Sequence, residues 1–322
     1  MKASKIVKYA VSVALAAVRL YFSFRNVEWS AFIASLNTCR WGYVALAMAV
    51  SIAAFYFRSC RWKCLLRPID PTMDGLTTFN GVNIGYLANF VFPRIGEVIR
   101  CGFVHKRSLS RHKDDPENAA TFDKTLGTVL MSRSWDVATV FVLLAVLLAF
   151  RGAQFGEFFR RSIWTPLQER LDFNWWWIIA AVALAAVVIV LIKKSKGFFR
   201  GVADGFLSWA KMPGKWRFFV WTVLLWAAYV MMSWLIMLAI PATEGLGLAD
   251  GLFVCLAGSL AWMVPAPGGF GAYHYIVALA VSSVYCLSWD SGIMLATLNH
   301  ESQAVTMIVC GIMSYIIECF RK

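Results

Sequence analysis

Apolar residues in this chain fall in long blocks and neither alternate nor recur on one helical face. Six blocks, Ile6–Phe24, Trp41–Phe57, Phe122–Phe150, Asn174–Ile192, Phe218–Ile240 and Ser291–Ile317, approach or exceed the length of about 20 residues that a helix needs to cross a hydrocarbon core. They predict six transmembrane helices. Two further blocks, Gly81–Val104 and Gly251–Cys286, are apolar but interrupted. The first carries Asn83, Asn89, Pro93, Arg94, Glu97 and Arg100, and each charge facing mid-bilayer lipid costs about 2.5–3.5 kcal/mol. The second is cut by Pro265-Ala266-Pro267-Gly268-Gly269, which removes amide donors in mid-segment. Both blocks predict broken helices buried in protein or lining a wet cavity.

Basic residues decide whether the broken blocks cross or turn back. If both turn back, the Lys and Arg flanks cluster on one side, and only Arg25, Arg40, Arg151, Arg160, Arg161 and Arg170 remain on the other. If the first block crossed once, the outer face would become the richer one, against the positive-inside rule. The fold expected is therefore an all-α integral membrane protein of about six transmembrane helices plus two oppositely oriented re-entrant hairpins, over residues 81–104 and 251–286. Residues 1–322 form one polytopic domain with both termini cytoplasmic, in a cell inner or plasma membrane. The halves, about 41–150 and 218–317, are inverted copies in topology, and each hairpin has Pro then Gly at its tip. Broken helices at matching positions of inverted halves point to a transporter's substrate site, although Pro and Gly also kink ordinary helices. At the N-terminus, Lys2, Lys5 and Lys8 before small residues Ala14 to Ala17 admit a cleaved signal peptide, but the run to Phe24 favours a retained helix with Arg19 snorkelling outward.

Composition agrees: 60% of the 322 residues are apolar and 15% charged, against about 45–50% and about 25% in soluble domains. The net charge of +13 belongs to membrane flanks, so nucleic acid is excluded as a partner. Eight cysteines without metal-ligand spacing imply neither a disulfide framework nor a zinc site, and no cofactor is expected.

The motif Asn89-Phe90-Val91-Phe92-Pro93-Arg94-Ile95-Gly96-Glu97-Val98-Ile99-Arg100, followed by Pro265-Ala266-Pro267-Gly268-Gly269-Phe270-Gly271, resembles the flippase-like membrane family. This is the transmembrane region of lysylphosphatidylglycerol synthases together with its stand-alone relatives. Val129-Leu130-Met131-Ser132-Arg133-Ser134-Trp135-Asp136 also looks like that family's Glu-Arg-x-x-Asp helix, so the likeness spans most of the chain. The resemblance implies lipid translocation, with anionic or aminoacylated phospholipids or lipid-linked sugars as substrates. It does not extend to lipid aminoacylation, because these residues include no counterpart of the soluble transferase domain. Ser132 stands where the third motif usually has Glu, and His274 where a Glu commonly follows the second motif. Some relatives carry one more residue between the Pro and the Gly-Glu of the first.

Ten residues are expected to meet substrate: Asn89, Arg94, Glu97, Arg100, Arg133, Asp136, Gly268, Gly269, His274 and Glu301. Arg94 and Arg100 flank Glu97, and a guanidinium fork binds phosphate in bidentate fashion; the plainer alternative is that Glu97 neutralises one of them. Asn83 and Asn89 suit helix capping or a headgroup hydrogen bond. Arg133 and Asp136, at i and i+3, share a helix face and suit a local ion pair. Gly268 and Gly269 let a lipid or another backbone approach closely. His274 suits proton coupling or headgroup hydrogen bonding, or is a satisfied interior residue. His300 and Glu301, adjacent in sequence, should point apart, which argues against a shared metal site, and Glu301 should need Arg94, Arg100 or Arg133 as partner. The Trp175-Trp176-Trp177 run, Trp164, Trp29 and Trp41 read as interfacial belts, and Lys106–Asn118 as a solvated loop near anionic lipid.

The function expected is translocation of an anionic phospholipid or polyprenyl-phosphate-linked lipid between leaflets, without catalysis, a metal or a cofactor. The competing class is an intramembrane lipid-modifying enzyme, a phosphatase or glycosyltransferase using Glu97, Asp136 or His274 as acid or base. Against it, no pair of neighbouring acidic residues suits a metal-dependent transferase, and no His sits in an evident nucleophile constellation with an acidic orienter. Composition leaves the oligomeric state open.

Overall fold

The computed structural model of the chain describes residues 36–91, 94–165, 195–261 and 271–321, with isolated positions at 21, 30, 33, 168, 179 and 182. Within them the chain is helical: α1 Trp41–Leu66, α2 Gly75–Val91, α3 Ile95–Arg111, α4 Phe122–Phe159, α5 Lys196–Phe206, α6 Ser208–Lys211, α7 Lys215–Ala239, α8 Leu248–Ala261, α9 Ala272–Tyr285 and α10 Trp289–Phe320. Four spans among the described residues are long and apolar enough to cross a membrane: α1, the Pro116–Phe159 segment containing α4, α7 and α10. The all-α membrane architecture stands. The helices expected over Ile6–Phe24 and Asn174–Ile192, the Trp175-Trp176-Trp177 run and the second hairpin's tip at 262–270 lie outside the described residues.

Helix bounds depart from expectation for identifiable reasons. The first span runs past Phe57 to Leu66 because Arg58 and Arg61 find partners inside the protein, and it stops before Pro68, which disfavours helix in the residue preceding it. The span expected to end at Phe150 has a non-helical Arg151 (φ −137°, ψ 26°), then continues to Phe159. The first broken block is a helix pair covering 75–111, wider than 81–104, because Asp74 caps it: its Oδ1 accepts from the Thr77 amide at 2.6 Å.

Each broken block folds back on itself. At the base of α2 and α3, Asp70 Oδ2 accepts from Ser108 Oγ at 2.6 Å, and the Ala120 amide donates to the same hydroxyl at 2.7 Å. At the base of α8 and α9, Tyr285 Oη donates to Asp250 Oδ1 at 2.9 Å. The two bases lie at opposite ends of α1: Asp70 follows its last turn, whereas the Arg40 amide, before its first, donates to the Ala239 carbonyl at 2.9 Å and Arg40 pairs with Glu244. The hairpins therefore open toward opposite ends of the bundle.

The packing is inverted relative to a soluble protein. Phe141, Val142, Phe150, Val223, Tyr315 and Phe320 are more than half exposed, while Arg61, Asn80, Asn83, Thr128 and Asn299 are buried. One apolar core surrounds α8, α9 and α10, with Phe155 stacked on Phe253 at 4.6 Å. A second lies between α1, α2, α3 and α7 around Trp62, Leu65, Val104 and Phe218. α10 backs both hairpins: Gly311 presses on Leu87 of α2, and His300 faces His274 of α9.

Candidate functional site

The break between α2 and α3 is built by two glycines and an asparagine. A side chain on Gly96 would place its Cβ 1.9 Å from the Gly85 carbonyl oxygen, so the helices cross where only a bare backbone fits. The Gly96 amide donates to Asn89 Oδ1 at 2.8 Å, which satisfies a donor at the start of α3. Arg94 takes a left-handed backbone (φ 62°) at the turn, an uncommon conformation for a residue with a Cβ.

This crossing carries Glu97 and Arg100 on α3 toward α1 and α4. Arg100 is buried, its Nη2 is 2.5 Å from Glu97 Oε2, and its guanidinium lies 4.8 Å over the Trp62 ring. Arg133 of α4 donates to the other Glu97 oxygen, with Nε at 2.9 Å. Arg133 also reaches Asp136 Oδ2, 3.4 Å away on its own helix. Asp136 is engaged more closely from α1: Arg61 Nη2 reaches Oδ1 at 2.6 Å and Arg58 Nη1 reaches Oδ2 at 3.2 Å. Arg58 donates in addition to Tyr229 Oη of α7 at 2.8 Å, and Arg61 to Ser132 Oγ at 3.0 Å. Ser132 serves here as a neutral acceptor.

Four guanidinium groups thus face two carboxylates, an excess of positive charge inside the bundle. The excess has unsatisfied donors: Arg100 Nε and Nη2, and Arg61 Nε and Nη1, are buried without hydrogen-bond partners. The Arg100–Glu97 contact is close in distance but not aligned as a hydrogen bond, and Glu97 Oε2 lacks one as well. Arg100 lies beside a small cleft, with room for about one water molecule, lined by Tyr86, Asn89, Glu97 and Arg133.

Of the sequence-derived site residues, Asn89, Glu97, Arg100, Arg133 and Asp136 come together. Arg94 does not join them: it stands exposed at the turn and is not among the arginines contacting Glu97 or Asp136. Gly268 and Gly269 lie outside the described residues. His274 and Glu301 belong to a second cluster. Glu301 was expected to pair with an arginine, but its Oε1 lies 2.9 Å from His300 Nδ1 and 3.7 Å from His274 Nε2. The expectation that His300 and Glu301 point apart also fails, because the flexible Glu side chain curls back beside its neighbour's ring. Sequence reading missed Arg58 and Arg61, which were counted as flank charges. Their signal was position: they share the buried face of α1 with Ala54, Phe55, Trp62 and Leu65.

The chain matches the family described as Lysylphosphatidylglycerol synthase TM region over residues 9–300. No curated protein and no solved structure matches it.

Proposed function

Because the chain belongs to the family of the lysylphosphatidylglycerol synthase transmembrane region, multi-pass membrane proteins of lipid-related function, we propose that it moves an anionic phospholipid or polyprenyl-phosphate-linked lipid between leaflets, holding the phosphate at Arg100. The observation that carries this reading is the buried surplus of guanidinium donors beside a cleft. An unsatisfied buried donor costs about 1–3 kcal/mol, and more when charged, so the surplus of guanidinium donors favours an incoming anion. A phosphate oxygen meets the Arg100 fork in the geometry guanidinium favours. Glu97 tempers the charge, so the anion can leave as well as bind. In this reading residues 1–322 act as one unit with both termini cytoplasmic, in an inner or plasma membrane, and the inverted halves rock about the site.

The test is leaflet exchange of fluorescent lipids in vesicles containing the full chain. Charge-assisted hydrogen bonds are worth about 1.5–3 kcal/mol, so Arg100→Ala should slow exchange of anionic lipid by about 10- to 150-fold, with partial recovery in Arg100→Lys. Unchanged exchange by a folded Arg100→Ala protein sinks the proposal. A new lipid product in place of exchange supports a lipid-modifying enzyme instead.

A further inference from the structure

The second cluster lies at membrane depth and takes no part in the anion site. His274 stands in the first turn of α9 and His300 in the middle of α10; both are at most 2% exposed, with ring centroids 5.1 Å apart. Glu301 brings a carboxylate to them whose side chain is 41% exposed. One donor atom from each of the three residues lies within 4.8 Å of the others. Among the described residues, the two imidazoles are the ion-pair partners of Glu301.

These distances have a chemical meaning. Divalent transition metals bind imidazole nitrogen at about 2.0–2.1 Å and carboxylate oxygen at about 2.0–2.2 Å, so donors around one ion stand about 3–4 Å apart. The separations of 2.9 Å and 3.7 Å from Glu301 Oε1 match that spacing, and the two imidazole nitrogens lie within 4.8 Å of each other. Two imidazoles select a transition metal over calcium or magnesium, which prefer oxygen ligands throughout.

We propose that His274, His300 and Glu301 form a three-ligand site for a divalent transition-metal ion of the zinc class, with a coordination position open on the exposed side of Glu301. The ligands come from two helices, so the ion fixes α9, the returning arm of the second hairpin, against α10. Tyr273 supports the site from behind: its ring packs 5.3 Å from His300 and its hydroxyl accepts from Asn299 Nδ2 at 2.8 Å. With neutral imidazoles and an ionised carboxylate, a bound dication leaves one positive charge, so the open position suits water or an anionic oxygen. The site requires no lipid, so it stands or falls separately from the transport reading.

The same contacts would also form if a proton, not a metal, were shared between the imidazoles and Glu301, and titration separates the two. The full chain in detergent micelles is stripped with a chelator, desalted and titrated with Co²⁺ followed by visible absorption, then with Zn²⁺ by calorimetry. The expected result is one ion per chain, ligand-field bands of four-coordinate cobalt, and a rise in melting temperature with Zn²⁺. His274→Ala and His300→Ala should abolish the bands, and Glu301→Gln should weaken binding at least tenfold. Glu301→Gln retains side-chain size at a half-exposed position, so it decides the matter if a His variant fails to fold. No binding by the wild type, or equal affinity in Glu301→Gln, overturns the proposal.

Discussion

Asp136 is where the α1 and α4 charges meet, and removing its charge tests whether the cluster holds the bundle together. Asp136→Asn keeps the size and one acceptor oxygen but turns the other oxygen into a donor facing a guanidinium. Arg61 loses its 2.6 Å contact or Arg58 its 3.2 Å contact, and the surplus positive charge rises by one. Removing one partner of a buried pair costs about 3–5 kcal/mol. The lower end applies because Arg58 keeps Tyr229, Arg61 keeps Ser132 and Arg133 is 41% exposed. For a domain of this size about 3 kcal/mol corresponds to a fall of roughly 6–12 °C in melting temperature. With Cys60, Cys286 and Cys319 replaced by Ser, thermal unfolding in micelles can be followed with a thiol-reactive fluorophore, since the remaining Cys39, Cys64, Cys101, Cys255 and Cys310 are buried. Adding Arg61→Met removes the extra charge together with its orphaned guanidinium, so the double variant should recover most of the loss. A single variant melting within about 2 °C of wild type, or a double variant that falls by the sum of both changes, would refute the reasoning.

Gly96→Ala forces a Cβ against the Gly85 carbonyl, so it should splay the first hairpin and abolish lipid exchange, whereas Gly102→Ala, where nothing lies within 4 Å, should leave both exchange and melting unchanged. At the base of that hairpin, burial pushes the Asp70 carboxyl up, but hydrogen bonds from Ser108, Thr72 and His112 outweigh it and hold the group below its ordinary range. Its contribution to stability is therefore complete above the unfolded value of about 4 and drains away as pH falls through the lowered folded value. Asp70→Asn should lower the melting temperature near neutral pH and flatten the acid limb of the melting profile, and parallel acid limbs would contradict this. Single cysteines placed near Arg111 and Lys211 should label from one face of sealed vesicles and those near Arg160 and Gly245 from the other; Arg111 and Arg160 sites labelling together would sink the two-sided arrangement.

The hydropathy pattern made the spans legible because lipid exposure is a bulk property that each stretch records for itself. The first break was legible because Pro93 and Gly96 announce locally where a helix is hard to continue; the matching Pro267 and Gly268 lie outside the described residues. Partnerships were less legible. Arg133 and Asp136 could be paired because they are one turn apart on one helix, but Arg58 and Arg61 reach Asp136 across 75 or more positions of chain, and no local rule links them. Their depth was misjudged because they follow Phe57, where the apolar run ends but the helix does not. Glu301 was assigned a guanidinium on charge alone, whereas two histidines brought in by a different helix and by its own neighbour met it first.

That α10 backs both hairpins makes its internal spacing a ruler. His300, which meets the second hairpin, and Gly311, which meets the first, are eleven residues apart, about three full turns and 16 Å along the axis, so the two contacts fall on nearly the same stripe of the helix. Inserting one residue between them would swing one contact about 100° around the axis relative to the other, carrying either the histidine or the glycine out of register. Substitutions elsewhere on the lipid-facing side of α10 are free to vary in shape, but the count of residues between these two positions is not. The length of that stretch is as much a part of the protein's specification as the identity of any side chain on it.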